Sequence, residues 1–293
     1  MSWLDLHMHS NQSDDGEYTP EELMELCVQN GVRTAAVADH NSTRAVQRAQ
    51  TRAEALGITC ISGVELDCTH QGVDLHLLGY WIDPMHPGFA AAEQDIWEQE
   101  QRAGSKRIEL AKALGIQFKT CDALLSAKQG VVTGEMIAEA ALEQDPENPL
   151  LAPYQPGGAR SDNPFVNFYW DFFSQGKPAY VPINFMSLKE AVELVTAAGG
   201  VPVLAHPGNN IHEDAELLAD IAAQGVKGLE AYSSYHSPEQ TAFYQEQAAQ
   251  LSLAVSCGSD FHGKIKPSIR LGGTECGGHE AELLRGLECQ IPR

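Results

Sequence analysis

Basic residues are scarce in this chain: 19 lysines and arginines stand against 40 aspartates and glutamates in 293 residues, a formal charge of −21. A surface of that sign repels polyanions, so duplex nucleic acid is not an expected partner, and a phosphate-bearing ligand would need local positive charge. The seven cysteines are an odd number and include no C-x-x-C, which argues against a disulfide framework and a cysteine zinc knuckle. They read instead as reduced, mostly buried thiols of a cytoplasmic protein. No apolar run approaches the ~20 residues that span a bilayer, and the N-terminus carries no basic-then-apolar signal region, so no membrane association is expected. The motifs G-x-S-x-G and G-x-x-x-x-G-K-S/T are also missing, so no serine nucleophile and no phosphate-cradling P-loop is signposted.

The length suits one large α/β domain, or a barrel carrying an inserted subdomain. Apolar runs at residues 3–8, 34–38 and 58–64 alternate with amphipathic stretches at 20–30 and 43–56, a rhythm that implies a parallel sheet or barrel. Thr19-Pro20 supplies an N-cap and a first-turn proline, while Gly31 and Gly57 sit where helices end. Residues 73–82 read as another strand. The alternation then stops over residues 88–181, where helical patterns, a Pro/Gly/Asn-rich stretch and the aromatic run Phe165 to Phe173 follow one another. It resumes from Ser187 with strands at 201–205, 228–231 and 253–257. The expected organisation is a barrel of residues 1–87 and 182–293, with a mainly helical subdomain, 88–181, inserted over its site.

His7 and His9 lie two apart on the first predicted strand, so both imidazoles project to one face and can grip one ion. Alone, H-x-H is a weak signal. Four further segments also end in metal-ligand residues, at Asp39-His40, Glu65, His206-Pro207 and Asp260-Phe261-His262. In a parallel α/β barrel such strand ends share one rim, and burying that many imidazoles and carboxylates together is costly without a metal. Asp14 or Asp15 adds a carboxylate from the first loop. His76, inside Leu75–Leu78, is read as a ligand rather than a core histidine. A bridging Glu65 would place two or three divalent ions ~3.5–4 Å apart, the separation used for displacement at phosphorus. Hydroxide generated by the metal then serves as the nucleophile.

His7-x-His9 with Ser13-Asp14-Asp15-Gly16 and Thr19-Pro20, then Ala38-Asp39-His40, Gly63-Val64-Glu65, Ala205-His206-Pro207-Gly208 and Gly258-Ser259-Asp260-Phe261-His262, closely resemble the motifs of the polymerase and histidinol phosphatase (PHP) family. The resemblance covers residues 1–82 and about 182–270. It implies an α/β fold, a distorted (β/α)7 barrel, and a trinuclear centre of nine ligands. Carried onto this chain these are His7, His9, Asp15 (or Asp14), His40, Glu65, His76, His206, Asp260 and His262. Asp15 is favoured because the ligand normally precedes the glycine directly. The inserted block resembles that of the stand-alone phosphoesterases of the family.

Among other residues, Arg160 and Lys177 are candidate phosphate contacts, and His236 is a candidate phosphate donor or acid for the leaving group. The activity implied is metal-dependent hydrolysis of a small phosphorylated metabolite: a nucleotide, nucleoside bisphosphate, sugar phosphate or cyclic phosphodiester. Its cofactors would be two or three Mn²⁺, Fe²⁺ or Zn²⁺ ions. Amidohydrolase-like C–N hydrolysis and a non-catalytic metal-binding module are the alternatives. Oligomeric state is not legible.

Overall fold

Leu4–Met8 is buried along its whole length and forms the first strand, β1, as expected for a strand covered on both faces. A computed structural model describes residues 1–119 and 130–292, so Cys121 lies outside the described residues. After β1 come α1 (Pro20–Gln29), β2 (Thr34–Val37), α2 (Val46–Leu56), β3 (Thr59–His70) and β4 (Val73–Tyr80). Among the described residues, three helices follow without an intervening strand: α3 (Pro87–Ala113), α4 (Gly134–Gln144) and α5 (Pro164–Phe172). The chain continues through β5 (Met186–Ser187), α6 (Leu188–Ala197), β6 (Val201–Leu204), α7 (Pro207–Asn210) and α8 (Ala215–Ala223). It finishes with β7 (Gly228–Ser233), α9 (Pro238–Leu251), β8 (Ala254–Gly258) and α10 (Glu280–Glu288). Thr19 caps α1 and closes a capping box with Glu22, and Ser187 with Glu190 does the same for α6.

Seven strands run in the order β1-β2-β3-β4-β6-β7-β8, with β5 paired outside that path against β3. β8 returns to β1 through a Met8–Phe261 bridge, and Asp260 N donates to His7 O at 2.8 Å. The sheet is thus a nearly closed seven-stranded barrel, the expected class. It is not wholly parallel. β3 and β4 form a hairpin across Gln71 and Gly72, both with positive φ, 51° and 81°, which is the geometry of a tight two-residue turn. β4 therefore runs antiparallel to both β3 and β6. β3 also extends six residues past the expected end at Val64. Val64, Leu66 and Cys68 fill the core between the sheet and α6, while Glu65 and Asp67 alternate to the other face. Glu65 consequently sits mid-strand rather than at a strand end.

The segment from α3 to α5 has a core of its own, built from Ile108, Val132, Ile137, Phe168 and Phe173 among others. The aromatic run divides. Phe168 and Phe173 enter that core, Tyr169 packs against it while also lining a cavity above the barrel, and Trp170 lines that cavity. Among the described residues no helix is long and apolar enough to cross a membrane.

Candidate metal centre

Closing the barrel through β1 and β8 brings His7, His9, Asp260 and His262 together, and β3, one strand beyond β2, carries Glu65 into the same space. The Glu65 carboxylate is the hub. One oxygen lies 3.1 Å from His7 Nε2, 3.2 Å from His9 Nε2 and 3.3 Å from His40 Nδ1; the other lies 2.9 Å from His76 Nδ1 and 3.1 Å from His206 Nε2. Asp260 Oδ1 also reaches the first pair, 3.3 Å from His7 Nε2 and 3.0 Å from His9 Nε2. Asp15 Oδ2 stands 3.0 Å from His262 Nε2 and 3.9 Å from His40 Nε2. Asp14 lines the cavity beside it. Among the described residues, these donors fall into overlapping groups: His7, His9, Glu65 and Asp260; Glu65, His76 and His206; His9, Asp15, His40 and His262.

The atoms that converge are mostly without hydrogen-bond partners. Nε2 of His7, His9 and His262, Nδ1 of His40, and one carboxylate oxygen each of Asp15, Glu65 and Asp260 are buried yet unsatisfied. Buried polar atoms of this kind normally find a partner, and here they approach one another without hydrogen-bond geometry. Imidazole and carboxylate donors aimed at common points are what a divalent ion requires. The residues present fit such a group.

The family profile described as PHP domain matches residues 5–141. A 3′,5′-nucleoside bisphosphate phosphatase of Chromobacterium violaceum is 30% identical over 280 residues, covering 94% of this chain and 92% of that protein. The chain belongs to the PHP domain family. The 5′-3′ exoribonuclease Rnm of Escherichia coli is also 30% identical, over 276 residues, covering 92% of this chain and 87% of that one. A solved structure from Bifidobacterium adolescentis, assigned as a metal-dependent phosphoesterase, superposes with a TM-score of 0.78 at 27% identity. It covers 99% of this chain and 96% of that one.

Around the PHP cluster lie the buried carboxylates Glu230 and Asp5, which the sequence does not mark as site residues, and Asp39, which it does. Glu230, wholly buried on β7, lies 3.0 Å from His7 Nδ1 and accepts from His206 N at 2.9 Å, so it steadies two donors at once. Asp5 accepts from Ser259 N, Ser259 Oγ and Gly272 N at 2.6–2.9 Å, tying β1 to the loop after β8. Burial raises its pKa, and those donors partly offset the rise. Asp39, just after β2, accepts from Ser10 N and Oγ in the loop after β1 and so ties the two loops together, and burial pushes its pKa up to about 6. Glu230 and Asp5 were visible in the sequence as acids flanked by apolar strand residues.

Burial opposes the Glu65 anion, but His7, His76 and His40 hold its pKa well below the usual carboxylate range. Asp260 is also held well below that range, chiefly by Lys266, whose Nζ lies 2.6 Å from Oδ2. Tyr235 OH donates to the same oxygen, and its ring lies under the Lys266 ammonium. His9 behaves differently from His7. Burial and the neighbouring His262 and His40 lower its pKa to about 4. In His7, burial is outweighed by Glu65, Glu230 and Asp260, which raise its pKa.

The cavity above the cluster measures about 370 Å³. Its cations are Arg44, Arg107 and Lys266, not those anticipated from the sequence. Arg160 is paired with Asp171 at 3.0 and 3.1 Å and does not line the cavity; neither does Lys177, which sits in the turn after α5. His236 is likewise turned away. Its Nδ1 lies 2.9 Å from Ala231 O and its Nε2 accepts from Gly208 N at 3.0 Å, so both ring nitrogens serve the backbone. Burial lowers its pKa, favouring the neutral ring.

Proposed function

We propose that this chain is a divalent-metal-dependent phosphoesterase acting on small phosphorylated metabolites, with nucleotides and nucleoside bisphosphates foremost. The observation that carries the reading is the set of buried, partnerless imidazole and carboxylate atoms converging beneath a cavity. The Chromobacterium phosphatase and the exoribonuclease, both similar along most of the chain, support a phosphate ester over another bond. His7, His9, Glu65 and Asp260 would hold one ion, Glu65, His76 and His206 a second, and Asp15, His40 and His262 a third, with Asp14 as the alternative to Asp15. Mn²⁺, Fe²⁺ and Zn²⁺ all suit such donors. When bound, the ions supply Lewis acidity toward phosphoryl oxygens and generate hydroxide at neutral pH.

Residues 88–181 are proposed as an inserted subdomain that roofs the site, since Trp97 and Arg107 of α3, Glu135 of α4 and Tyr169 of α5 all reach the cavity wall. Arg107 is fixed there by Glu100 and by Val132 O, so its guanidinium is held in position before a phosphate arrives. Trp97, Tyr169 and Trp170 offer ring faces on which a base can stack. The exoribonuclease relative extends this reading to the end of a single RNA strand.

The test is phosphate release from nucleoside 3′,5′-bisphosphates, sugar phosphates, cyclic phosphates and short 5′-phosphorylated RNA, before and after chelation. Hydrolysis should vanish on chelation and return with Mn²⁺. Activity that survives complete metal removal, or ammonia release without phosphate release, overturns the proposal.

A further inference from the structure

Asp67, two residues beyond Glu65 on β3, belongs to none of the three groups of donors assigned above, yet it faces the same space. Its Oδ1 lies 3.4 Å from His40 Nδ1 and 3.4 Å from His76 Nε2, and the three residues form a metal-capable group of their own. Two donors ~2.1 Å from one tetrahedral ion stand about 3.4 Å apart. The spacing is also longer than an ordinary N–H···O hydrogen bond, and His40 Nδ1 is buried without a hydrogen-bond partner.

The other side of the carboxylate is fixed. Asn41 Nδ2 donates to Asp67 Oδ2 at 2.7 Å, and Asp67 N donates to Asn41 Oδ1 at 3.0 Å, a reciprocal clamp that leaves Oδ1 directed at the two imidazoles. Asn41 holds a left-handed φ of 54° where it makes this clamp. Such backbone persists where the surroundings over-determine it.

Building on the metal-dependent reading, we infer that Asp67 is a further metal ligand of this chain, holding one divalent transition-metal ion together with His40 Nδ1 and His76 Nε2, in place of the separate ions to which those two histidines were assigned above. Two imidazoles and one carboxylate favour Mn²⁺, Fe²⁺ or Zn²⁺ over Ca²⁺ or Mg²⁺.

The test is Asp67→Asn in the full chain, stripped of metal and titrated with Zn²⁺ by calorimetry and with Co²⁺ by visible absorption. Asparagine has one oxygen, which the Asn41 amide draws to itself, turning the NH₂ toward the imidazoles. One ion should bind about tenfold more weakly or worse, and the Co²⁺ spectrum should change. Asp74→Asn, on the same cavity wall, should titrate like wild type. If Asp67→Asn fails to fold, Asn41→Ala keeps the carboxylate but frees it, and should weaken the same ion to a smaller degree. Wild-type uptake of metal with an unchanged titration and spectrum in the folded variant overturns the inference alone. A wild-type chain that takes up no divalent ion overturns the metal-dependent reading and this inference with it.

Discussion

Replacing Glu230 by glutamine changes no volume and removes no proposed metal ligand, yet it should weaken metal binding. The carboxylate serves two donors with two oxygens, lying 3.0 Å from His7 Nδ1 and 2.9 Å from His206 N. Glutamine has one oxygen. If that oxygen keeps the His206 amide, the NH₂ faces His7 Nδ1, which must then accept, moving the ring proton to Nε2. That nitrogen faces Glu65 and Asp260, so the proton would occupy the site of the metal bond. If the amide turns the other way, two donors oppose each other at His206 N, and the backbone that aims His206 at Glu65 loosens. Loss of a carboxylate that orients a ligating histidine typically costs 10–100-fold in metal affinity, ~1.4–2.7 kcal/mol. The assay is calorimetric titration of metal-stripped wild type and Glu230→Gln, with denaturant unfolding of both metal-free proteins to separate affinity from stability. A folded Glu230→Gln protein that binds metal within twofold of wild type refutes the reasoning.

Arg107→Ala should raise KM for a phosphorylated substrate more than it lowers kcat, by about 10- to 100-fold, because a charge-assisted hydrogen bond to a phosphate contributes ~1.5–3 kcal/mol and this residue lies away from the cluster; steady-state kinetics check it. Gly258→Ala should cost more than ~3 kcal/mol in unfolding stability, or abolish folding, since its methyl would lie 2.1 Å from His7 Cβ and 2.4 Å from Glu230 Oε1. A thiol reagent applied to the native protein at pH 8 should modify Cys289, exposed after α10, before Cys27, Cys68, Cys257 and Cys276, which are buried; peptide mapping reads the order. Cys60 should also lag, because burial pushes its thiol up to about 12 and leaves almost no thiolate at that pH.

Much of the site is legible in the sequence because its donors occur in short motifs with fixed local geometry. His7 lies near the end of β1 and His9 just past it, Asp260 and His262 follow β8 on either side of Phe261, and the topology then determines only which strand ends meet. The barrel follows from the same alternation. Less legible is anything set by pairing across the chain. The β3–β4 hairpin hinges on two turn residues, Gln71 and Gly72, and the extension of β3 to His70 is hidden because Glu65 and Asp67 resemble the end of an apolar run. The cavity cations were harder still. Arg160 looked available by scarcity, but Asp171, one α5 turn past the intervening Asn167, claims it; Arg107 looked like one charge on a polar helix face, and its bonds to Glu100 on the same helix and to Val132 O direct it inward.

The acidity that dominates the composition also reaches the centre of the molecule. Asp15, Glu65, Asp67 and Asp260 share a space with six imidazoles, and Lys266, a fixed cation of the cavity wall, is already claimed by Asp260. Arg44 is similarly engaged by Glu93, and Arg107 by Glu100. Each resident cation is thus largely neutralised by a partner of this chain. On the metal-dependent reading proposed here, most of the attraction for phosphate would come from the bound ions, with Arg107 adding one contact, so that metal and substrate binding would be coupled through charge: filling the cluster would convert a repulsive floor into an attractive one. This explains how a chain of net charge −21 can select a phosphate ester without a basic surface. The selectivity resides in a few buried donors rather than in the field of the whole protein.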